Sequence, residues 1–202
     1  MRKLYLFMFV FWMTDCVFGQ SASDLFNAGL EKMKEKKYEE AITDFDQALK
    51  MDDKDSFLHA NRGLAQAALG RHRQAISDYN KAIKLNPKYA KFYIYRGIAN
   101  DSTRKYQEAV DDYTRAIRLD DKDPSLYTAR GHTFFNVKQY DTAIANFNVA
   151  IQLDPNQVTA YLLRGQAKYR TVDSVGACND WQKASELGSE EARKLFEENC
   201  NQ

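Results

Sequence analysis

The sequence predicts an all-α protein in which antiparallel helix pairs stack one after another into an α-solenoid. Four sequence columns recur every 34 residues through five cycles of the 202-residue chain. Within each cycle the apolar residues have helical spacing, and the whole chain contains only three prolines and nine glycines. A fixed period of about 20–50 residues is typical of repeat architectures, in which each unit buries its apolar face against its neighbours.

The four columns are a glycine, an alanine twelve residues later, an aromatic residue four further on, and a second alanine three beyond that. Small residues allow two helices to approach closely, and an aromatic ring fills the space beside them. Each cycle therefore predicts one helix pair. The glycines are Gly29, Gly63, Gly97, Gly131 and Gly165, and the aromatic residues are Phe45, Tyr79, Tyr113, Phe147 and Trp181.

Turn signals separate the predicted helix pairs. Pro87 and Pro155 follow the second helix of their units, where a helix should stop. Asp123 precedes Pro124, which is typical of an N-cap followed by proline at the first helical position.

The 34-residue period and these columns resemble the tetratricopeptide repeat (TPR) family. The resemblance implies a right-handed superhelix with repeats at 22–55, 56–89, 90–123, 124–157 and 158–191, of which the fifth is eroded. Asp53 and Asp121 stand where the family often has proline. The motif residues hold helices together and touch no ligand, so the resemblance specifies the fold and leaves the ligand open.

A further amphipathic helix is predicted over 189–200, where it would cap the last exposed core face of the solenoid. Cys178 lies ten residues before Gly188, and Cys200 lies twelve residues after it. Residues about equidistant from the turn of an antiparallel helix pair face each other, so we expect a Cys178–Cys200 disulfide. The alternative is two buried free thiols.

The first nineteen residues form a separate segment. Two basic residues precede ten apolar ones at 4–13, a run too short to span a membrane. This pattern predicts a signal peptide over 1–19, cleaved after Gly19, and hence a periplasmic or secreted protein without membrane insertion. Lipidation at Cys16 and an uncleaved anchor are the alternatives.

An arginine stands directly before four of the repeat glycines, and an acid or an amide stands before each aromatic residue. The arginines could line a track for an anionic ligand, but the matching acids favour structural pairing across helix seams. Ala28 replaces the arginine in the first repeat, which fits pairing back to the preceding repeat, and pairing within each repeat stays open. The columns are Arg62, Arg96, Arg130 and Arg164, and Asp44, Asp78, Asp112, Asn146 and Asp180.

Charge and motifs exclude several function classes. With 29 basic and 28 acidic residues, the chain lacks the basic excess of a nucleic-acid binder. His59, His72 and His132 stand without partners at metal-ligand spacing, and no glycine-rich phosphate loop or nucleophile elbow occurs. We therefore expect no enzymatic activity, no cofactor and no metal site.

The resemblance implies that the first helices of successive repeats line a concave groove for a protein or peptide partner. The predicted function is a non-catalytic adaptor of the cell envelope or the medium; the alternative is a self-associating structural protein of the envelope. A mixed apolar and polar concave strip is typical of interaction sites. The groove positions are Phe57, Ala60, Leu64, Lys91, Ile94, Ile98, Asp101, Thr128, His132, Phe135, Asn136, Thr159, Leu162, Gln166 and Tyr169.

Overall fold

A computed structural model describes residues 20–200 of the chain, and in this part eleven α-helices follow one another without a β-strand. The predicted signal peptide and Cys16 lie outside the described residues. The helices are α1 (Ala22–Lys34), α2 (Tyr38–Met51), α3 (Ser56–Ala68), α4 (His72–Leu85), α5 (Ala90–Ser102), α6 (Tyr106–Leu119), α7 (Pro124–Asn136), α8 (Tyr140–Leu153), α9 (Val158–Arg170), α10 (Ser174–Glu186) and α11 (Glu190–Cys200).

Each helix packs against the next along the whole series, which gives five successive helix pairs followed by α11. The first helices of neighbouring pairs also contact one another: α1 contacts α3, α3 contacts α5, and α7 contacts α9. The first helices therefore lie side by side along one face of the stack. The prediction of an all-α solenoid is confirmed.

Local sequence sets where the helices begin. Ser21 caps α1 through a capping box, in which its hydroxyl accepts from the backbone of Asp24 and the Asp24 carboxylate accepts from the backbone of Ser21. Asp55 caps α3 by accepting from the first-turn amides. Asp123 caps α7 in the same way, with Pro124 at the first helical position as predicted.

The glycine column makes room for the aromatic column. A Cβ atom placed on Gly63 would lie 2.7 Å from the Tyr79 ring, and one on Gly165 would lie 2.6 Å from the Trp181 ring. The alanines Ala75 and Ala82 beside Tyr79 are fully buried. The columns thus persist because each ring of the second helix packs directly on the backbone of the first.

Helix α11 closes the end of the stack against α10. Its Ala192 is buried with Trp181, and Leu195 and Phe196 pack around them. A disulfide joins Cys178 of α10 to Cys200 of α11, with a Cα–Cα distance of 5.8 Å. None of the helices between residues 20 and 200 combines the length and the apolar character needed to cross a bilayer.

Candidate functional site

The arginine column pairs with the acid column of its own helix pair. Arg62 donates to Asp78 from Nε at 2.9 Å and from Nη2 at 2.6 Å. Arg164 makes the same bidentate contact with Asp180, at 2.9 Å and 2.5 Å. Of the two pairings that the sequence left open, the structure has the one within each repeat.

The same guanidinium groups also contact the preceding helix pair. The residue contacted there lies two positions after that pair's residue in the column of acids and amides. Each Nη1 donates to an oxygen there, so one side chain joins two pairs. The acceptors are Asp46 for Arg62, Asn80 for Arg96, Thr114 for Arg130 and Asn148 for Arg164.

The charges of these seams differ from pair to pair. Asp78 holds the pKa of Arg62 well above its ordinary value, because their hydrogen bonds outweigh burial. Arg130 faces the amide of Asn146 instead of a carboxylate, and burial lowers its pKa. Asp44 belongs to the first helix pair, which has no arginine in this column, and its carboxylate forms an ion pair with Lys32 at 2.8 Å. The arginines are therefore committed to internal contacts and are not a track for an anionic ligand.

The structure places the predicted groove positions unevenly. Ala60 is only 2% exposed, because it packs against Ala82 and Phe92 where α3 and α5 meet. Thr128 is buried, and Ile94 packs beside Tyr93 and Leu126. Exposed side chains occur at other predicted positions, namely Phe57, Lys91, Ile98, His132, Asn136, Thr159 and Tyr169.

Five of the predicted positions, Thr128, His132, Thr159, Leu162 and Gln166, meet in one cleft of about 560 Å³ between α7, α9 and the start of α11. We call it the first cleft. Its lining comes from α7, from α9 and the turn before it, which we call the floor, and from the start of α11. Its lining residues are Ser125, Thr128, Ala129, His132, Gln157, Thr159, Leu162, Leu163, Gln166 and Glu191.

Two hydrogen bonds hold polar side chains of the first cleft in place. The hydroxyl of Thr128 donates to the side-chain oxygen of Gln157 at 2.6 Å, which ties α7 to the turn before α9. The amide of Gln166 donates to the carboxylate of Glu191 at 3.2 Å, which ties α9 to α11. The apolar side chain of Leu162, beside them, is only partly buried.

A second cleft of about 500 Å³ continues from the first, and Gln166 lines both. It contains the predicted residues Phe135 and Tyr169. The Tyr169 ring lies 5.5 Å from that of Trp181. The rest of its lining consists of Arg170, Leu195, Glu198 and Asn199, so that α11 supplies a wall here as well.

The predicted residues of α3 and α5 lie elsewhere along the solenoid. Leu64 and Ile98 line a small apolar cleft of about 160 Å³ with Tyr79 and Tyr95. Phe57 packs edge-on against Phe92, with ring centroids 5.5 Å apart. The polar and roomy part of the predicted groove is therefore its C-terminal half.

Asp101 forms a half-buried polar junction near His132 of the first cleft. Its carboxylate accepts from the hydroxyl of Tyr113 at 3.1 Å and from that of Thr133 at 2.8 Å, both on the same oxygen. Its other oxygen is buried without a hydrogen-bond partner among the described residues. Burial raises the pKa of Asp101, although these hydrogen bonds and nearby His132 act to lower it.

Sequence reasoning missed the part of the cleft wall that comes from α11. Glu191 belongs to the predicted capping helix, for which the sequence predicts only a structural role. Leu163 and Gln157 were missed as well, since they lie between the periodic positions. The period itself gives no signal for Glu191, because this residue stands at the very end of the predicted fifth repeat and already belongs to α11.

Within residues 20–200 no group of three or more metal-binding side chains occurs. The three histidines are separate: His59 is buried and its Nε2 lies 3.0 Å from the carbonyl oxygen of Asp53, whereas His132 is exposed in the first cleft. The polar residues of the first cleft provide hydrogen-bond donors and acceptors and one carboxylate, that of Glu191. These groups suit a ligand with polar groups of its own.

Models of the tetratricopeptide repeat match residues 25–55 and 56–89, and a TPR repeat model matches 134–172. Together these matches cover just over half of the sequence, and the chain belongs to the tetratricopeptide repeat family. No curated protein matches the sequence. The family is generally non-catalytic, and its fold serves as a scaffold for protein or peptide partners.

Several solved TPR structures resemble the chain over most of its length. A crystal structure of MamA is 25% identical with a TM-score of 0.76, covering 82% of this chain and 96% of MamA. YrrB, described as a TPR protein with an unusual peptide-binding site, is 17% identical with a TM-score of 0.75 over 88% of this chain and 92% of its own. PilF of Pseudomonas aeruginosa is 19% identical with a TM-score of 0.74, over 87% and 84%.

Proposed function

We propose that the protein is an exported, non-catalytic adaptor that holds an extended peptide segment of a partner protein against its concave face. The segment lies across the first and second clefts. The observation that carries this proposal is the convergence of α7, α9 and α11 on a cleft of about 560 Å³ that exposes apolar side chains beside polar ones.

The two clefts suit a chain better than a compact small molecule. They share Gln166, so a ligand can pass from one to the other without leaving the surface. Side-chain amides and hydroxyls at Gln157, Gln166 and Thr128 match the donors and acceptors of a peptide backbone. The peptide-binding site described for YrrB, whose fold is similar, supports the same use of the fold here.

The expected affinity is modest. Burial of one or two apolar side chains of the partner against Leu162 and Tyr169 contributes about 2–5 kcal/mol. Ordering of the peptide offsets part of this gain. A dissociation constant of about 0.1–1 mM is therefore expected for a single segment.

Two features support export. Residues 1–19 have the pattern of a signal peptide, with a basic start and a short apolar run. Cys178 and Cys200 are joined in a disulfide, a bond that persists in oxidising compartments such as the periplasm and the extracellular medium. Mass spectrometry of the protein from its producing cells tests this: a chain that begins at Gln20 is expected, and one that retains residue 1 would contradict export by cleavage.

Display of random peptides against the purified protein tests the groove. We expect selected peptides to bind the native protein and to lose affinity with Leu162→Asp, since a carboxylate then occupies the apolar floor. Val175→Asp is the matched control, because Val175 is an exposed apolar residue of α10 that lines neither cleft. Equal binding by both folded variants, checked by circular dichroism and thermal unfolding, would place the site outside the first cleft.

A second candidate function is self-association, which another surface favours. The second helices of the first four pairs each end in an apolar residue that is at least one third exposed, and these residues recur with the 34-residue period: Met51, Leu85, Leu119 and Leu153. Sedimentation equilibrium tests this alternative. A mass that rises with concentration and falls back with Leu119→Asp would favour it, whereas a constant monomer mass would exclude it.

A further inference from the structure

We infer that the first cleft selects a peptide segment carrying a lysine or arginine beside an apolar residue, with Glu191 as the partner of the basic group. This inference rests on the proposed function and adds the chemistry of the ligand. It makes α11 a determinant of specificity as well as a cap for the core.

The charge of the first cleft is one-sided. Glu191 is the one carboxylate among its lining residues, and neither a lysine nor an arginine lines it. The half-buried Asp101, which accepts a hydrogen bond at 2.8 Å from Thr133, the chain neighbour of His132, is a second acidic group beside the cleft. A basic side chain is therefore attracted here, and an acidic one is repelled.

The Glu191 carboxylate is available for such a partner. No basic side chain lies within ion-pair distance of it in the part of the chain that the structure describes, whereas its neighbour Glu190 pairs with Arg193. Its carboxylate accepts a hydrogen bond from the side-chain amide of Gln166, at 3.2 Å. A carboxylate can accept several hydrogen bonds, so oxygen lone pairs remain for an incoming cation.

An apolar contact next to the charge follows from the floor of the cleft. Leu162 precedes Gln166 by one helical turn, so it lies on the same face of α9 as the residue that contacts Glu191. An aliphatic stem of lysine or arginine, or a neighbouring apolar side chain, packs on this leucine while the basic head reaches the carboxylate. The two contacts together specify a mixed basic and apolar segment.

Peptide display with sequence analysis of the selected pool tests the inference. Among the selected peptides whose binding depends on Leu162, we expect enrichment of lysine and arginine. When the Glu191→Lys variant is used as the target instead, we expect the selected peptides to be enriched in aspartate and glutamate. For one synthetic lysine-containing peptide from the pool, Glu191→Gln should weaken binding about twofold to fivefold, as for an ion pair open to solvent. High salt should remove this difference.

Glu197→Gln is the matched control, because it removes the same charge from α11 at an exposed position that lines neither cleft. It should leave binding unchanged. A Leu162-dependent pool without basic enrichment, or a peptide insensitive to Glu191→Gln, would overturn the inference and leave the adaptor function standing. A failure to select any Leu162-dependent peptide would instead contradict the proposed function itself.

Discussion

The guanidinium of Arg62 and the carboxylate of Asp78 form a bidentate ion pair between α3 and α4, with donor–acceptor distances of 2.9 Å and 2.6 Å. The same arginine donates to Asp46 of the preceding helix pair. Because the Asp78 side chain is only 3% exposed, its charge depends on this arginine for compensation. The contact thus joins the two helices of one pair and ties that pair to its neighbour.

Removal of Arg62 should be costly. We expect Arg62→Met to lower the free energy of unfolding by about 3 kcal/mol, because a buried carboxylate loses its main partner. Arg130→Met is the matched control: its partner is the uncharged Asn146, which keeps a hydrogen bond to the carbonyl of Thr142, so a loss of about 1 kcal/mol is expected. Urea unfolding of both variants checks this, and equal losses would refute the role of the buried charge.

Val172 occupies a backbone conformation that disfavours it. Its φ is +66°, in the left-handed region, and its side chain is 87% exposed, so packing does not compensate for the strain. Val172→Asn should stabilise the protein by about 1 kcal/mol, since asparagine tolerates this region. Lys138→Asn, at φ +64°, should give a smaller gain because lysine is not β-branched. A destabilised Val172→Asn variant would show that the valine has a packing role.

The disulfide should hold α11 in place. Breaking the Cys178–Cys200 bond, which joins residues separated by 22 positions, should cost up to about 3 kcal/mol in the stability of the C-terminal end. Hydrogen exchange with and without a dithiol reductant measures this, with Cys178→Ser as the reductant-insensitive control. We expect reduction to speed amide hydrogen exchange in α10 and α11 and to leave exchange in the other helices unchanged. Unchanged exchange after complete reduction would mean that packing of Ala192 and Leu195 suffices.

Burial of Asp101 predicts a pH dependence. Its pKa is raised above the ordinary 3.8, so the folded protein binds more protons than the unfolded chain once the pH exceeds that value. The contribution of Asp101 to stability is therefore highest in acid and is lost as the pH rises through the raised pKa. Asp101→Asn should gain stability relative to the native protein over this window.

Thermal unfolding from mildly acidic to neutral pH checks the Asp101 prediction. His132→Gln removes the titratable group that lies near Asp101 and serves as a second reference. A difference between native protein and Asp101→Asn that stays constant over this range would show that Asp101 keeps an ordinary pKa.

The fold could be predicted from the sequence because its determinants are buried and periodic. The contact of Gly63 with Tyr79 has an equivalent in every helix pair at the same spacing, since no larger residue fits where the ring packs on the backbone. The partner of Arg62 could not be decided in the same way. Asp44 and Asp78 both fit the period, and only the three-dimensional path of the side chain favours Asp78.

The cleft was partly accessible to sequence reasoning. His132, Leu162 and Gln166 lie on groove-facing positions of a regular repeat, so the period alone brings them together. Glu191 is the last residue of the predicted fifth repeat and lies in α11. Its place in the cleft depends on how the chain turns back at Gly188, where φ is +101°. Such a turn depends on tertiary packing, which a periodic pattern does not encode.

Photo-crosslinking in the producing cells tests the central claim most directly. A photoreactive phenylalanine derivative in place of His132 reports on the first cleft, and the same group in place of Gln152, exposed on α8, reports on a surface outside both clefts. We predict a discrete adduct with a partner protein from position 132 alone, lost when Leu162→Asp is added. Adducts of equal yield from both positions, or from position 152 alone, would contradict peptide binding in the concave cleft.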